Sequence, residues 1–159
     1  MATEATLCLI IRDGQVLLLL KSKGRFGGGK WNGLGGKLLP GESPLECVRR
    51  EVGEESGLEI EDPRLRGKLR FQFGDDWSKD WVVHVFSARE FTGELRSSDE
   101  GSLRWFAAED IPYSQMWEDD RHWLPLLLGG ASFSGSFRFD LGGTRLLSFD
   151  LASEPGEPL

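Results

Sequence analysis

Residues 36–58 read GKLLPGESPLECVRREVGEESGL, and the rest of the chain is best understood outward from them. The middle of this stretch predicts a helix over 43–56. Ser43 is placed to cap the first turn, Pro44 takes the first helical position, where a missing N–H costs nothing, and Glu46 completes a capping box. Gly57 supplies the left-handed residue that stops the helix. Leu45, Val48 and Val52 recur at helical spacing and are expected to face the core. Glu51 and Glu55 are four apart and stand one above the other on one face; Glu54 lies one position round, and Arg50 precedes it by four. Carboxylates this close repel one another unless a cation sits among them, and one arginine does not neutralise three. The residues alone leave two readings. One is a solvated charged helix face. The other is an oxygen-rich site for a hard ion such as Mg²⁺, shared with substrate phosphates, with Gly35, Gly36 and Gly41 letting the backbone approach the same place.

Outward from the helix, apolar runs alternate with turn signals. Residues 6–11 and 15–20 flank Asp13 and Gly14, a strong hairpin signature. A glycine-rich loop at 23–30 leads into an extended, glycine-interrupted segment at 31–39. Strands are expected at 68–73, 81–88 and 103–107, a turn at 110–112, and a second helix at 119–128 ending on Gly129 and Gly130. A closing hairpin is expected from 136–140 and 145–150. Residues 153–159, rich in Pro, Gly and Glu, read as a disordered tail behind a single domain at 1–152. Strands on both sides of a central helix imply an α/β or α+β layered domain.

The length of 159 residues suits one domain with a core of its own. A net charge of -7 argues against loose binding to a nucleic-acid backbone, but not against a phosphate substrate, because bound cations reverse the local field. Cys8 and Cys47 lie far apart without metal or redox spacing and read as small buried hydrophobes, which fits a reducing compartment. No basic region followed by an apolar run opens the chain, and the longest apolar runs, 16–20 and 124–128, are too short to span a bilayer. The expectation is a cytoplasmic monomer without nucleic-acid or membrane partners.

The 36–58 stretch also resembles the Nudix box, G-x5-E-x7-R-E-U-x-E-E-x-G-U with U a bulky aliphatic. Gly36, Glu42, Arg50, Glu51, Val52, Glu54, Glu55, Gly57 and Leu58 fill its defined positions. The resemblance implies a mixed β-sheet sandwiched between helices, with the box as a catalytic loop–helix–loop. It implies an enzyme that hydrolyses phosphoanhydrides with Mg²⁺, Mn²⁺ being able to substitute. Glu51 and Glu55, with the Gly36 carbonyl, resemble metal ligands. Glu54 resembles a water-mediated ligand or base, Arg50 an orienting partner for a catalytic carboxylate, and Glu42 a structural partner. Glu100 is the candidate for a further acidic ligand from a distant loop. In chemical terms, metal ions clamp the phosphate oxygens and lower the pKa of a bound water, and a carboxylate takes its proton.

Residues 26–37 (FGGGKWNGLGGK), 83–86 (VHVF), 98–100 (SDE), 116–120 (MWEDD) and 123–128 (WLPLLL) extend the resemblance to the branch of the family that hydrolyses oxidised purine nucleoside triphosphates such as 8-oxo-dGTP or 2-hydroxy-dATP to monophosphate and pyrophosphate. That implies a base pocket of Asn32, Trp117, Asp119 and Asp120. Phe26 and Phe71 would be its walls, Thr6 and Lys21 its edge, and Gly35 and Gly36 the close backbone. Asn offers donors and acceptors to a purine edge, and Trp a stacking face. Adjacent enclosed aspartates cannot both ionise cheaply, so one can hold a proton and donate. Asp119 and Asp120 also suit an N-cap pair, and His84 reads as structural. Trp81 and Gly101 stand where the human enzyme of this branch has methionines, which reshapes the pocket. Two other functions fit the sequence: hydrolysis of a different nucleoside diphosphate derivative, or nucleotide binding without turnover.

Overall fold

The computed structural model describes residues 2–24, 28–96 and 101–157. In chain order the elements are β1 (Thr3–Arg12), β2 (Gln15–Lys21), β3 (Trp31–Asn32), α1 (Pro44–Ser56), β4 (Glu59–Glu61), β5 (Arg64–Phe73), β6 (Trp81–Ala88), β7 (Glu90–Thr92), β8 (Gly101–Ala107), α2 (Asp120–Leu128), β9 (Ser132–Phe139) and β10 (Leu146–Glu154). The main sheet runs β10-β9-β5-β6-β1-β2-β3, with β8 on the other edge of β2. β1 runs parallel to β6 and β5 parallel to β9, while the other pairs are antiparallel, so the sheet is mixed.

Alternation along β1 divides the interior into two cores. Leu9 and Ile11 face one side with Trp123, Leu124 and Leu127 of α2. Cys8 and Ile10 face the other with Val48 and Val52 of α1. The two helices cover opposite faces, as the sandwich expectation required.

One irregularity positions the site. β1 and β2 pair only near their turn, from Ile10 with Leu17 to Arg12 with Gln15. Beyond that they part, and the segment 31–37 enters the gap. Trp31 and Asn32 pair with Leu20 and Leu19 of β2, while Leu34 bridges Cys8 and Lys37 bridges Ala5 of β1.

The helix signals hold in detail. The Ser43 hydroxyl accepts the Glu46 N–H at 3.1 Å, Glu46 accepts the Ser43 N–H at 3.0 Å, and Gly57 closes the helix at φ 78°. Leu45 departs from expectation: it is 44% exposed. The first turn of α1 lies in solvent with its capping box, and Cys47 takes the buried place beside Val48. β5 starts at Arg64, earlier than the apolar pattern showed, and β4 and β7 form a two-stranded sheet too short to leave a pattern. β10 continues through Ser153 and Glu154, which pair with Phe133 and Ser132, so the tail begins later than residue 153. Cys8 and Cys47 are free and buried, and burial pushes the Cys8 thiol up to about 12. Among the described residues no helix is long and apolar enough to cross a membrane.

Leu58→Ala, at a side chain 1% exposed beneath α1, is expected to cost about 2–5 kcal/mol of stability. Leu45→Ala should stay within about 0.5 kcal/mol. Urea denaturation of both variants checks the burial pattern, and equal losses would contradict it.

Candidate active site

On α1, Arg50 gathers the acidic residues. Its Nε and one terminal nitrogen donate to the two Glu42 oxygens at 2.7 and 2.9 Å. The other terminal nitrogen donates to Glu51 at 2.7 Å and to Glu54 at 3.2 Å. The Lys37 carbonyl accepts a further bond at 3.1 Å from the terminal nitrogen that bonds Glu42, which ties the helix to the wedged segment. The Arg50 guanidinium, with help from the Leu39 N–H, pulls the Glu42 carboxyl down to about 2. The same carboxylates push the Arg50 pKa up.

Two of these carboxylates meet the wedge directly. Glu55, 3% exposed, accepts the Gly35 N–H at 2.8 Å. Glu51 packs on Gly36 so closely that a Cβ there would lie 2.6 Å from its carboxyl carbon. The two carbonyls of this dipeptide differ. The Gly36 oxygen accepts from the Thr6 N–H at 2.9 Å and from the Cys47 thiol at 3.4 Å. The Gly35 oxygen accepts no hydrogen bond among the described residues. Glu54 is half exposed. Among the described residues no three His, Cys, Asp or Glu side chains lie close enough together to hold an ion, because Arg50 occupies the space between Glu42, Glu51 and Glu54.

Gly35 and Gly36 also form one wall of a cavity of about 130 Å³ on the other side of the wedge. Asn32, Lys21, Phe71, Trp117, Asp119 and Asp120 line it, as does Trp81. Asn32 Oδ1 accepts the Gly33 N–H at 2.9 Å, and its amide N–H groups have no partner among the described residues. Trp117 sits edge-on to Phe73 and Phe139, with the Lys30 ammonium 5.6 Å above its ring. Lys37 lies 5.4 Å over the Trp81 ring. Thr6 borders the cavity but is 3% exposed, and its hydroxyl is engaged with the Cys47 sulfur at 3.2 Å, so it has turned toward α1. Gly101 does not line the cavity; it pairs with Lys21 on β8. His84 pairs with Glu4 at 3.0 Å, away from the cavity residues. Phe26 and Glu100 lie outside the described residues.

Asp119 and Asp120 form the cavity's polar end, each 3% exposed. Asp119 stands at the N-cap position of α2 but its side chain makes no capping bond. Its own backbone is helical and its carboxylate instead accepts the Trp123 Nε1–H at 2.7 Å, one turn on. Asp120 Oδ2 is buried without a hydrogen-bond partner among the described residues. Burial raises both carboxyls, and the neighbouring Asp119 charge raises Asp120 further. The sequence reading missed the supporting role of Trp123, although its spacing of four from Asp119 was visible. It also missed Leu69, Phe73 and Val83 as lining residues, since an apolar wall reads like core.

Residues 1–127 match the family model for the NUDIX domain, spanning most of the chain. The chain belongs to the NUDIX family. Two curated Nudix relatives are both oxidized purine nucleoside triphosphate hydrolases. The one from Danio rerio is 45% identical over 135 residues, covering 84% of this chain and 85% of that protein. The one from Mus musculus is 40% identical over 147 residues, covering 92% of each. Among solved structures, the mutator MutT protein from Bacillus halodurans matches with a TM-score of 0.83 at 31% identity, covering 94% of this chain and 97% of that one. The mixed sheet between two helices is the Nudix fold that the box implied.

The buried aspartates make stability depend on pH. Their folded pKa values lie above the unfolded carboxylate value of 3.8, so their favourable contribution is complete below that value and is lost as pH rises through the raised folded values. Asp120→Asn removes the ionisation penalty. It should raise the melting temperature by about 2–4 °C near pH 8, with the gain shrinking toward pH 4. A pH-independent difference in calorimetry would contradict the assignment.

Proposed function

We propose that this Nudix protein is a Mg²⁺-dependent hydrolase of oxidised purine nucleoside triphosphates, of the 8-oxo-dGTP or 2-hydroxy-dATP kind, releasing a monophosphate and pyrophosphate. The observation that carries the reading is the buried Asp119–Asp120 pair with one oxygen left without a partner. It closes a ring-lined cavity whose opposite wall, Gly35 and Gly36, touches the glutamates of α1. A purine edge bearing both a donor and an acceptor satisfies such a pair. A protonated Asp120 donates, an ionised Asp119 accepts, and Trp117 offers a face to the ring.

The donor set fits a hard divalent ion. Glu51 and Glu55 present carboxylate oxygens beside a backbone that carries no side chain to fill the space. Of the two glycine carbonyls, Gly35 is the better backbone ligand, since its oxygen is unengaged and that of Gly36 already accepts from Thr6 and Cys47. This moves the role expected of Gly36 by one residue. When bound, the metal neutralises phosphate charge and acidifies a water. The chain does the rest. Glu51 and Glu55 would hold the ion, and Glu54, the exposed member, would take the proton from the attacking water. Arg50, anchored through Glu42, holds Glu51 and Glu54 in place. The anhydride bond between the α- and β-phosphoryl groups breaks, and pyrophosphate leaves. The Lys21 ammonium, at the cavity edge, lies where it can meet a phosphate.

A panel of kcat/KM values with Mg²⁺ tests the reading, using oxidised, methylated and unmodified purine triphosphates, a sugar nucleotide and a dinucleotide. Oxidised purine triphosphates should lead. Asp119→Asn should lower kcat/KM for them roughly tenfold or more, and Glu55→Gln should lower kcat for every substrate by roughly 10²–10⁴-fold. Preference for the sugar nucleotide or dinucleotide, or Asp119→Asn kinetics equal to wild type, would overturn the substrate. Absence of turnover on the whole panel would leave a nucleotide-binding module.

A further inference from the structure

A second cavity, of about 760 Å³, opens at the far end of β5 and β6. Arg66 reaches it from β5 and is five positions from Phe71 of the first cavity, roughly 16 Å along the strand. Three arginines line this space, Arg64, Arg66 and Arg89, in a chain whose net charge is -7. Arg64 pairs with Asp62 at 3.4 Å in solvent. Arg66 and Arg89 have no carboxylate within ion-pair distance among the described residues.

Arg66 is held in place for something other than an ion pair. Its Nε donates to the Ser87 hydroxyl at 2.7 Å, which fixes the plane of the guanidinium. Its terminal N–H groups find no acceptor among the described residues. The side chain is partly buried, and burial together with the charges of Arg64 and Arg89 lowers its pKa. Guanidinium groups drawn together in this way gain from an anion placed among them, and their forked donors match the oxygens of a phosphate. Across the space, the backbones of Gly130 and Gly156 come so close that a Cβ on Gly156 would strike the Gly130 carbonyl. Among the described residues no aromatic side chain lines the cavity to stack a base. The acidic residues on its wall, Glu61, Asp62, Glu90 and Glu157, disfavour a long polyanion and leave room for a compact one.

We propose that the Arg66–Arg89 cavity is a second site, distinct from the nucleotide cavity, for a compact phosphate oxyanion: inorganic phosphate or pyrophosphate. Arg66 is its central donor and Arg89 its second cation. It does not depend on the substrate assigned above.

Isothermal titration of the full chain in a metal-chelated, low-salt buffer tests the site, with inorganic phosphate and pyrophosphate as separate probes. At least one of them should bind, and the tighter identifies the source. Arg66→Gln and Arg89→Gln should each weaken binding roughly tenfold or more. Trp117→Ala, in the nucleotide cavity, should leave it unchanged. Arg89→Gln carries the test if Arg66→Gln lowers the melting temperature in anion-free buffer. No binding of either probe to wild type, undiminished binding in a folded Arg89→Gln protein, or loss in Trp117→Ala would overturn the proposal.

Discussion

At Gly33 and Gly35 the backbone runs closer to β1 than a side chain would allow. A Cβ on Gly35 would lie 1.9 Å from the Thr6 carbonyl oxygen, and one on Gly33 would lie 2.8 Å from that of Cys8. This contact is what wedges the segment between β1 and β2 and splits the sheet. The split gives the first cavity its mouth, and the wedge becomes a partition: glutamates of α1 press on one side and a ring-lined space lies on the other. Gly35 thus carries a carboxylate at hydrogen-bond distance and borders the cavity as well, so the proposed phosphate and base sites share one residue.

Charge is handled in opposite ways on the two sides. On the helix side, one guanidinium spreads over three carboxylates that solvent still reaches, and at Glu42 it favours the ionised form. In the cavity, two carboxyls are enclosed, the Trp123 indole N–H reaches Asp119 alone, and burial favours the neutral form. Under the proposed function, environment gives the same functional group two jobs: acceptors for cations on α1, and a proton-bearing reader of a ring edge at the start of α2.

Much of this was legible in the sequence, and the gaps have physical causes. The helix ends were readable because capping is local chemistry: Ser43, Glu46 and Gly57 act within a few residues of themselves. The hairpin at Asp13 and Gly14 was readable for the same reason. Leu45 misled because periodicity marks a stripe but not where along the helix the sheet ends. The capping reading of Asp119 failed because its partner is the Trp123 indole and not a backbone N–H. The choice between the Gly35 and Gly36 carbonyls depends on which of them faces Thr6, a long-range fact that no local pattern records. The three-residue strands β4 and β7 left no alternation to see.

β1 joins β2 across a tight turn but joins β6 in parallel, with Thr3 beside Trp81. The first cavity draws on Ala5, Asn32, the β5–β6 pair Phe71 and Trp81, and Trp117, four separated parts of the chain. Closing such loops is entropically slow and brings little return until most of them are shut. The cavity is complete only when these parts have come together, so catalytic competence should appear late in refolding, together with the last parallel strand pairing, and should report on the whole domain.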